Sequence, residues 1–410
     1  MTDPLNALAA WFQTILLNWG LPENVVSVIL AVIGVVILCV FVLLVDIFLV
    51  WIERKVVARF QDRLGPNRLG PFGLIQPIAD VIKLLIKEDI TPNGASRFVY
   101  NIPPIIALAT VLLMWAVIPL APTILGADIN VGVLYIIAIG AISTLGILMA
   151  GWASNNKYAL LGAFRTVAQM ISYEIPMLIS LLIPVLLASS MGLNDIITDQ
   201  SVWNILIVPL AGGIFLLSSI AELGRAPFDL VEAESEIVAG FHIEYTGMKF
   251  GLFYAGELLH ALTVGAIFAI LFLGGWRGPG VNLPYIGPFL GIFYLFIKAF
   301  IIYYVTMWFK YSLPRLRIDH MLGFNWKFLT PLALVLLIVV AILDKVLANA
   351  NVSITIYVLV MFAANILIGW AAISWAKVYT RREREHFNQK NNTNSFQTQL
   401  SEENSSAVQS

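Results

Sequence analysis

Nine apolar runs recur along the chain, near positions 30–52, 101–120, 131–152, 165–189, 203–222, 250–274, 289–309, 328–347 and 354–376. Each holds about 20 residues, the length that carries an α-helix across a hydrocarbon core of roughly 30 Å. Lipid cannot pair with backbone N–H and C=O groups, so only helices and closed barrels cross it. The period-two alternation of a membrane barrel is missing from these runs. The expected fold is therefore all-α, a polytopic membrane helix bundle of about nine transmembrane helices. Charged residues make up only 12% of the 410, against roughly 25% in a soluble domain. Lipid replaces water over most of such a surface.

The basic residues orient the bundle. With nine spans, loops 53–100, 153–164, 223–249 and 310–327 and the C-terminal tail fall on one side, which holds 21 of the 24 Lys and Arg. The positive-inside rule makes that side cytoplasmic and puts the N-terminus outside, as in a multi-pass protein of a bacterial inner membrane. The chain divides into an external interfacial segment at 1–27 and a core membrane domain of eight spans at 28–347. An extra span follows at 348–380, then a polar tail at 381–410 whose Asn, Gln, Ser and Glu content predicts disorder.

Several functions are excluded early. A net charge of −1 argues against a nucleic-acid partner. One cysteine, Cys39, rules out an internal disulfide framework and any cysteine-ligated cluster built from this chain alone. The four histidines show no metal-ligand spacing. No metal or redox cofactor is expected in this chain, so any electrons it handles come from a partner.

Two cytoplasmic segments are long and unusual. In the first, RLGPNRLGPFGLIQPIADVIKLLIKEDITP runs from Arg63 to Pro92. Its Gly-Pro pairs fold the chain back after the first span. From Phe72 onward, Leu74, Ile75, Ile78, Val81, Ile82, Leu85 and Ile86 line one helical face, with Gln76, Asp80, Lys83 and Lys87 opposite. This is an amphipathic helix, too charged to span. It is expected to act as a lid framing an opening to the lipid phase. Arg54, Lys55, Arg59, Arg63 and Arg68 crowd the base of the first span, placed either to meet lipid phosphates or to polarise an apolar substrate's carbonyl.

The second segment, ELGRAPFDLVEAESEIVAGFHIE, carries Glu222, Asp229, Glu232, Glu234, Glu236 and Glu244 against the single cation Arg225. Its interleaved Leu230, Val231, Ile237, Val238 and Phe241 predict that it folds inward or against a partner. Clustered carboxylates cannot all ionise cheaply, which makes protons available near neutral pH. Within the spans lie Glu174, Glu257 and Lys298. A mid-membrane charge costs on the order of 2.5–3.5 kcal/mol on insertion scales. These three are therefore expected to be steps of a proton path, with a Lys298–Glu structural ion pair as the competing reading. Arg165, Gln169, Ser172 and Tyr173 share one helix face and are expected to hydrate that path.

These two segments, with GWASNNKYALLGAFRTVAQMISYE (Gly151 to Glu174) and YSLPRLRIDHMLGFNWK (Tyr311 to Lys327), resemble the heel subunit of complex I, known as the H subunit in bacteria and subunit 1 in mitochondria. The resemblance covers roughly residues 30–345, with the four motifs in the family's order and spacing. It implies a non-redox subunit, inactive alone, of a proton-pumping NADH:quinone oxidoreductase. Quinone is then the substrate, held in a chamber shared with peripheral subunits, one of which carries an iron–sulfur cluster. Antiporter-like and small membrane subunits would be further partners. Carried over, Arg54, Lys55, Arg63, Pro77, Asp80, Arg225, Arg315 and Arg317 line or brace the chamber. Asp80, Glu174, Glu222, Glu232, Glu234, Glu236 and Glu257 match the family's acidic path, which Asp229, Glu244 and Lys298 extend here.

Other classes compete. A stand-alone ion or proton transporter also keeps charge at mid-membrane, although no matching pair of interrupted helices marks two halves here. A structural anchor leaves Glu174 and Glu257 unexplained. The membrane subunit of a related membrane-bound hydrogenase shares the resemblance without quinone.

Overall fold

The structure, a computed structural model, describes residues 4–231, 234–281, 283, 285–350, 352–378 and 381. Among the described residues fifteen helices follow one another, and no strand forms. They are α1 Pro4–Asn18, α2 Glu23–Phe60, α3 Gln76–Ile86, α4 Arg97–Trp115, α5 Gly132–Ala153, α6 Lys157–Ala188, α7 Leu193–Asp199, α8 Asn204–Ile207, α9 Pro209–Glu222 and α10 Glu234–Ile237. After these come α11 Gly247–Leu273, α12 Gly287–Ser312, α13 Ile318–Phe324, α14 Thr330–Asn349 and α15 Ile354–Val378. The tail beyond Arg381, expected to be disordered, lies outside the described residues.

Eight helical stretches are long and apolar enough to cross a membrane, with α13 and α14 counted as one continuous run. The protein is a polytopic helical membrane bundle. The run at 203–222 behaves differently from the other eight. It breaks at Val208 (φ −130°, ψ 63°) into α8 and the 14-residue α9. Pro209 causes the break, since it has no N–H to return to the preceding turn and disfavours a helical residue before it. Asn365 of α15 donates its side-chain amide to the Ile207 carbonyl, next to the break, at 3.4 Å.

The centre of the bundle is α11. In its most apolar stretch 83% of residues are buried, against 6% for α2 and 11% for α15. Small residues bring its neighbours close. A Cβ on Gly256 would stand 3.0 Å from the Ala107 carbonyl of α4, and one on Gly265 would stand 2.7 Å from the Ala299 carbonyl of α12. Membrane helices gain from such backbone approach because no hydrophobic force drives them together in lipid.

Prolines inside the spans free carbonyls, and the fold fills two of them with side chains that also position the polar centre. Pro104 leaves the Tyr100 carbonyl without its helical donor, and the Tyr245 hydroxyl donates there at 3.1 Å. In return, Tyr100 donates its hydroxyl to the Glu244 carbonyl at 2.7 Å, and the two rings stack at 4.2 Å. Pro176 likewise frees Ser172, whose carbonyl accepts from the buried Asn325 amide at 2.6 Å. Asn325 opens a five-residue π turn, Asn325–Leu329, that joins α13 to α14.

This repair predicts a rescue. Asn325→Leu is expected to destabilise the protein by about 1–3 kcal/mol, the range for a buried polar group left unpaired. In a Pro176→Ala background the helix supplies its own N–H to Ser172, and the same change should cost less. Thermal denaturation in detergent of the two single variants and the double variant reads the coupling directly. Strictly additive losses would reject the pairing.

Candidate functional site

The acidic segment does fold inward. Phe228, Leu230, Ile237 and Phe241 are buried, and three clamps hold the stretch on the bundle. Gln169 of α6 donates its amide to the carbonyls of Ala221 (2.6 Å) and Phe228 (2.7 Å). The Leu316 amide donates to the Pro227 carbonyl at 2.8 Å, which ties the Arg315–Arg317 turn to it. Gly162 lies against Gly240 so tightly that a Cβ would come within 2.8 Å of backbone.

Behind this segment lies a cavity of about 220 Å³. Glu222, Arg225, Asp229, Glu257 and His260 reach it, together with Lys310 and Tyr311 at the end of α12. Phe241, Phe250, Phe253 and Tyr254 form its apolar wall. A second, smaller cavity of about 30 Å³ lies further in, lined by Glu174 on α6 together with Glu222, His260 and apolar side chains. Glu222 and His260 line both spaces and so stand where the two meet. Carboxylates that the sequence spreads over 84 positions, from Glu174 to Glu257, thus line two adjoining cavities.

Arg225 is the electrostatic hub. It is 1% exposed, and no hydrogen-bond partner reaches its three side-chain nitrogens among the described residues. Its charge is met at longer range, by Glu257 at 3.9 Å and by the Tyr303 ring 5.5 Å away. Burial alone would favour the neutral guanidine, but Glu53, Tyr303, Glu257 and Tyr311 outweigh it and raise the pKa of Arg225 above its ordinary value. Glu53 in turn accepts from Lys310 (3.0 Å) and from Tyr311 (2.6 Å). Burial holds the His242 imidazole neutral in the cavity wall, with its pKa pushed down to about 4.

The remaining expected chamber residues gather nearer the rim. Arg54 and Asp80 pair at 2.5 Å, and Lys83 reaches the other Asp80 oxygen at 3.3 Å. Arg54 and Arg63 share an open cleft with Gly65, Pro66 and Gln76. The Lys55 ammonium lies 6.0 Å from the Trp51 ring. Pro77 is buried in the first turn of α3, whereas Ile78, Ile82, Leu85 and Ile86 on the same helix face outward. Leu84 packs on Gly251, so the amphipathic helix sits beside α11 with its apolar face free to meet lipid. Glu236 is gripped by Arg165 at 2.5 Å and Arg315 at 2.8 Å. The Arg165 hydrogen bond holds the carboxyl below the usual range, and the two guanidinium charges add to it. Arg317 precedes α13 as its N-cap residue.

Other expected members stand apart. Among the described residues Lys298 pairs with no carboxylate, and it lines neither cavity. Its ammonium donates to the carbonyls of Leu273, Gly275 and Arg277 at 2.8–2.9 Å. These are the last carbonyls of α11 and the turn after it, where a cation satisfies orphaned acceptors and the helix dipole. Glu244 accepts from Asn156 at 2.6 Å, outside the two cavities. Gln169 and Tyr173 spend their donors on backbone carbonyls, Tyr173 on Met321 at 3.0 Å, so they act as fastenings. Glu232 and the side chain of Glu234 lie outside the described residues. Conversely, Glu53 and Asp46 on α2 are 4% and 6% exposed, and sequence reasoning assigns neither a role. The available signal is an acidic residue within an apolar run, repeated seven positions later on the same helix face. Among the described residues no three His, Cys, Asp or Glu side chains converge at metal-binding spacing.

A family model described as NADH dehydrogenase matches residues 33–341. The H subunit of the NADH-quinone oxidoreductase of Dehalococcoides mccartyi (strain CBDB1) is 48% identical over 334 residues, which cover 81% of this chain and 92% of that protein. One of the H subunits of Geobacter sulfurreducens is 47% identical over 323 residues, 76% of this chain and 96% of its own length. That of Geobacillus kaustophilus is 47% identical over 292 residues, covering 71% and 86% respectively. All four motif segments and both cavities fall inside the matched region, while α15 lies beyond it, and the chain belongs to the family of NADH-quinone oxidoreductase H subunits.

Proposed function

We propose that this chain forms, with peripheral partner subunits, the quinone chamber of a proton-pumping NADH:quinone oxidoreductase, and that its interior carboxylates couple quinone reduction to proton translocation. It carries no redox centre of its own, and electrons reach the quinone from an iron–sulfur partner. An apolar quinone slides from lipid past α3, whose outward Ile and Leu face suits a helix lying at the membrane surface. The Arg54–Asp80 pair and the Arg63 cleft meet its head group and the partner subunits. The excess of basic residues in the loops supports a cytoplasmic position for this rim in a bacterial inner membrane.

One observation carries the reading: Glu222 and His260 line both the outer cavity, with Asp229 and Glu257, and the inner one, with Glu174. Reduction of the quinone draws protons from the rim and unbalances the charge around Arg225. Interacting carboxylates share their protons, so a change at one shifts its neighbours. The disturbance passes inward through Glu222 to Glu174 and biases antiporter-like neighbours. Coupling of this kind is a free energy shared between separate sites.

Glu174→Gln tests it. The amide keeps the shape and polarity of the inner cavity but can neither take nor give a proton. Membranes carrying this variant should contain a normal amount of assembled complex and translocate far fewer protons per electron. Normal stoichiometry in inverted vesicles would remove Glu174 from the path.

A further inference from the structure

We propose that the seam between α2 and α12 binds one anionic phospholipid, with an acyl chain seated in an apolar groove and the phosphate held by Lys55 and Arg59. The groove has a volume of about 250 Å³. Tyr303 and Met307 of α12, both fully buried, form its floor. Phe48 and Ile52 of α2 and Phe300 and Tyr304 of α12 complete the lining. Phe48 and Tyr304 are exposed, so the groove opens to the lipid side. The Phe48 and Phe300 rings meet edge-on across the seam, 6.5 Å apart. An unfilled apolar cleft forfeits dispersion contacts, and a hydrocarbon chain restores them.

One stripe of α2 leads from this groove to the cations. Phe48, Ile52, Lys55 and Arg59 recur at spacings of four, three and four, which keeps them on one helix face. At 1.5 Å per residue, the two cations lie about 5–16 Å beyond the groove residues along the axis, the step from hydrocarbon to headgroup depth. The Lys55 ammonium lies 6.0 Å from the Trp51 ring, and that ring stacks on Phe48 at 5.6 Å. Tryptophan favours the membrane–water boundary, where lipid phosphates lie. Among the described residues no carboxylate pairs with Lys55 or Arg59. Charge therefore selects the occupant. A zwitterionic lipid or a partner's apolar helix fills the groove without balancing these cations, whereas an anionic headgroup balances them. The site is separate from the quinone rim. Arg54 stands about 100° round the helix from Lys55 and pairs with Asp80 of α3, and α3 packs beside α11 through Leu84 and Gly251.

The test uses the assembled complex in phosphatidylcholine nanodiscs, photolabelled with phosphatidylglycerol that carries a diazirine on one acyl chain. Mass spectrometry of the cross-linked peptides is expected to find label on the stretches holding Phe48 and Tyr304. Excess phosphatidylglycerol should displace it, and excess quinone or inorganic phosphate should not. Label per complex should fall about fivefold in Lys55→Gln and in Arg59→Gln, and about 25-fold in the double variant. Lys157→Gln removes the same charge from an exposed position at the start of α6 and should keep the wild-type level. Ile52→Trp fills the groove and should lower labelling with both cations in place, which keeps the test decisive where the charge variants fail to assemble. Equal labelling by a diazirine phosphatidylcholine at the same mole fraction overturns the proposal. So does displacement by quinone, wild-type labelling in the double variant, or a wild-type seam that takes no label because a partner helix covers it.

Discussion

Arg225→Ala is expected to remove the assembled complex from the membrane rather than slow it. The guanidinium is 1% exposed and faces Glu53 and Glu257 in the interior of the chain. Taking it away leaves these carboxylates uncompensated. Removing one partner from a buried ion pair costs roughly 3–5 kcal/mol, set against a total stability of about 5–15 kcal/mol for a typical domain. The loss falls where Gln169 of α6 and the Arg315–Arg317 turn after α12 fasten the acidic segment, so the segment should detach with it. Arg225→Lys keeps the charge and should retain part of the complex. Adding Glu257→Gln to Arg225→Ala should recover some of the loss by removing one stranded charge. Native electrophoresis of solubilised membranes measures all three, and wild-type amounts of complex in Arg225→Ala would show that the hub has no structural role.

What is legible in the sequence follows from the reach of each signal. Span positions come through because lipid imposes a length on apolar runs. The inward fold of the acidic segment is readable from Leu230, Ile237 and Phe241 lying among its carboxylates. The break at Val208 is hidden, because hydropathy averages across a residue whose backbone is set by the proline after it. Lys298 is misleading for a similar reason. Depth along a helix says nothing about where a four-carbon stem carries its ammonium, and it carries it to the end of α11. Glu53 reads in the sequence as the head of a basic cluster, although its carboxyl turns inward to Lys310 and Tyr311, 257 and 258 positions away. His260 gives no signal of its own. Its place between two cavities depends on the packing of α11 against α4, α6 and α9, a property of the assembled bundle.

Glu222→Gln should have the largest functional effect of any isosteric change in the relay. Glu222 sits at the C-terminal end of α9, where it faces both the Arg225 cavity and the inner Glu174 cavity. The amide fits the same space, so assembly should be preserved. The only thing lost is a proton site shared by the two spaces. Positioned proton transfer by one side chain is worth on the order of 10²–10⁴-fold, so coupled proton translocation should fall by about 10²-fold. Quinone reduction should slow with it under a proton-motive force, because the chamber can no longer shed its charge imbalance inward. Dissipating that force with an uncoupler should restore part of the electron transfer and none of the pumping. Glu222→Asp, shorter by one methylene, should lie between the two. His260 lines both spaces too, and it offers the test of sufficiency. If Glu222→Gln pumps normally while His260→Phe does not, the inward step runs through the imidazole, and Glu222 serves only to set its charge.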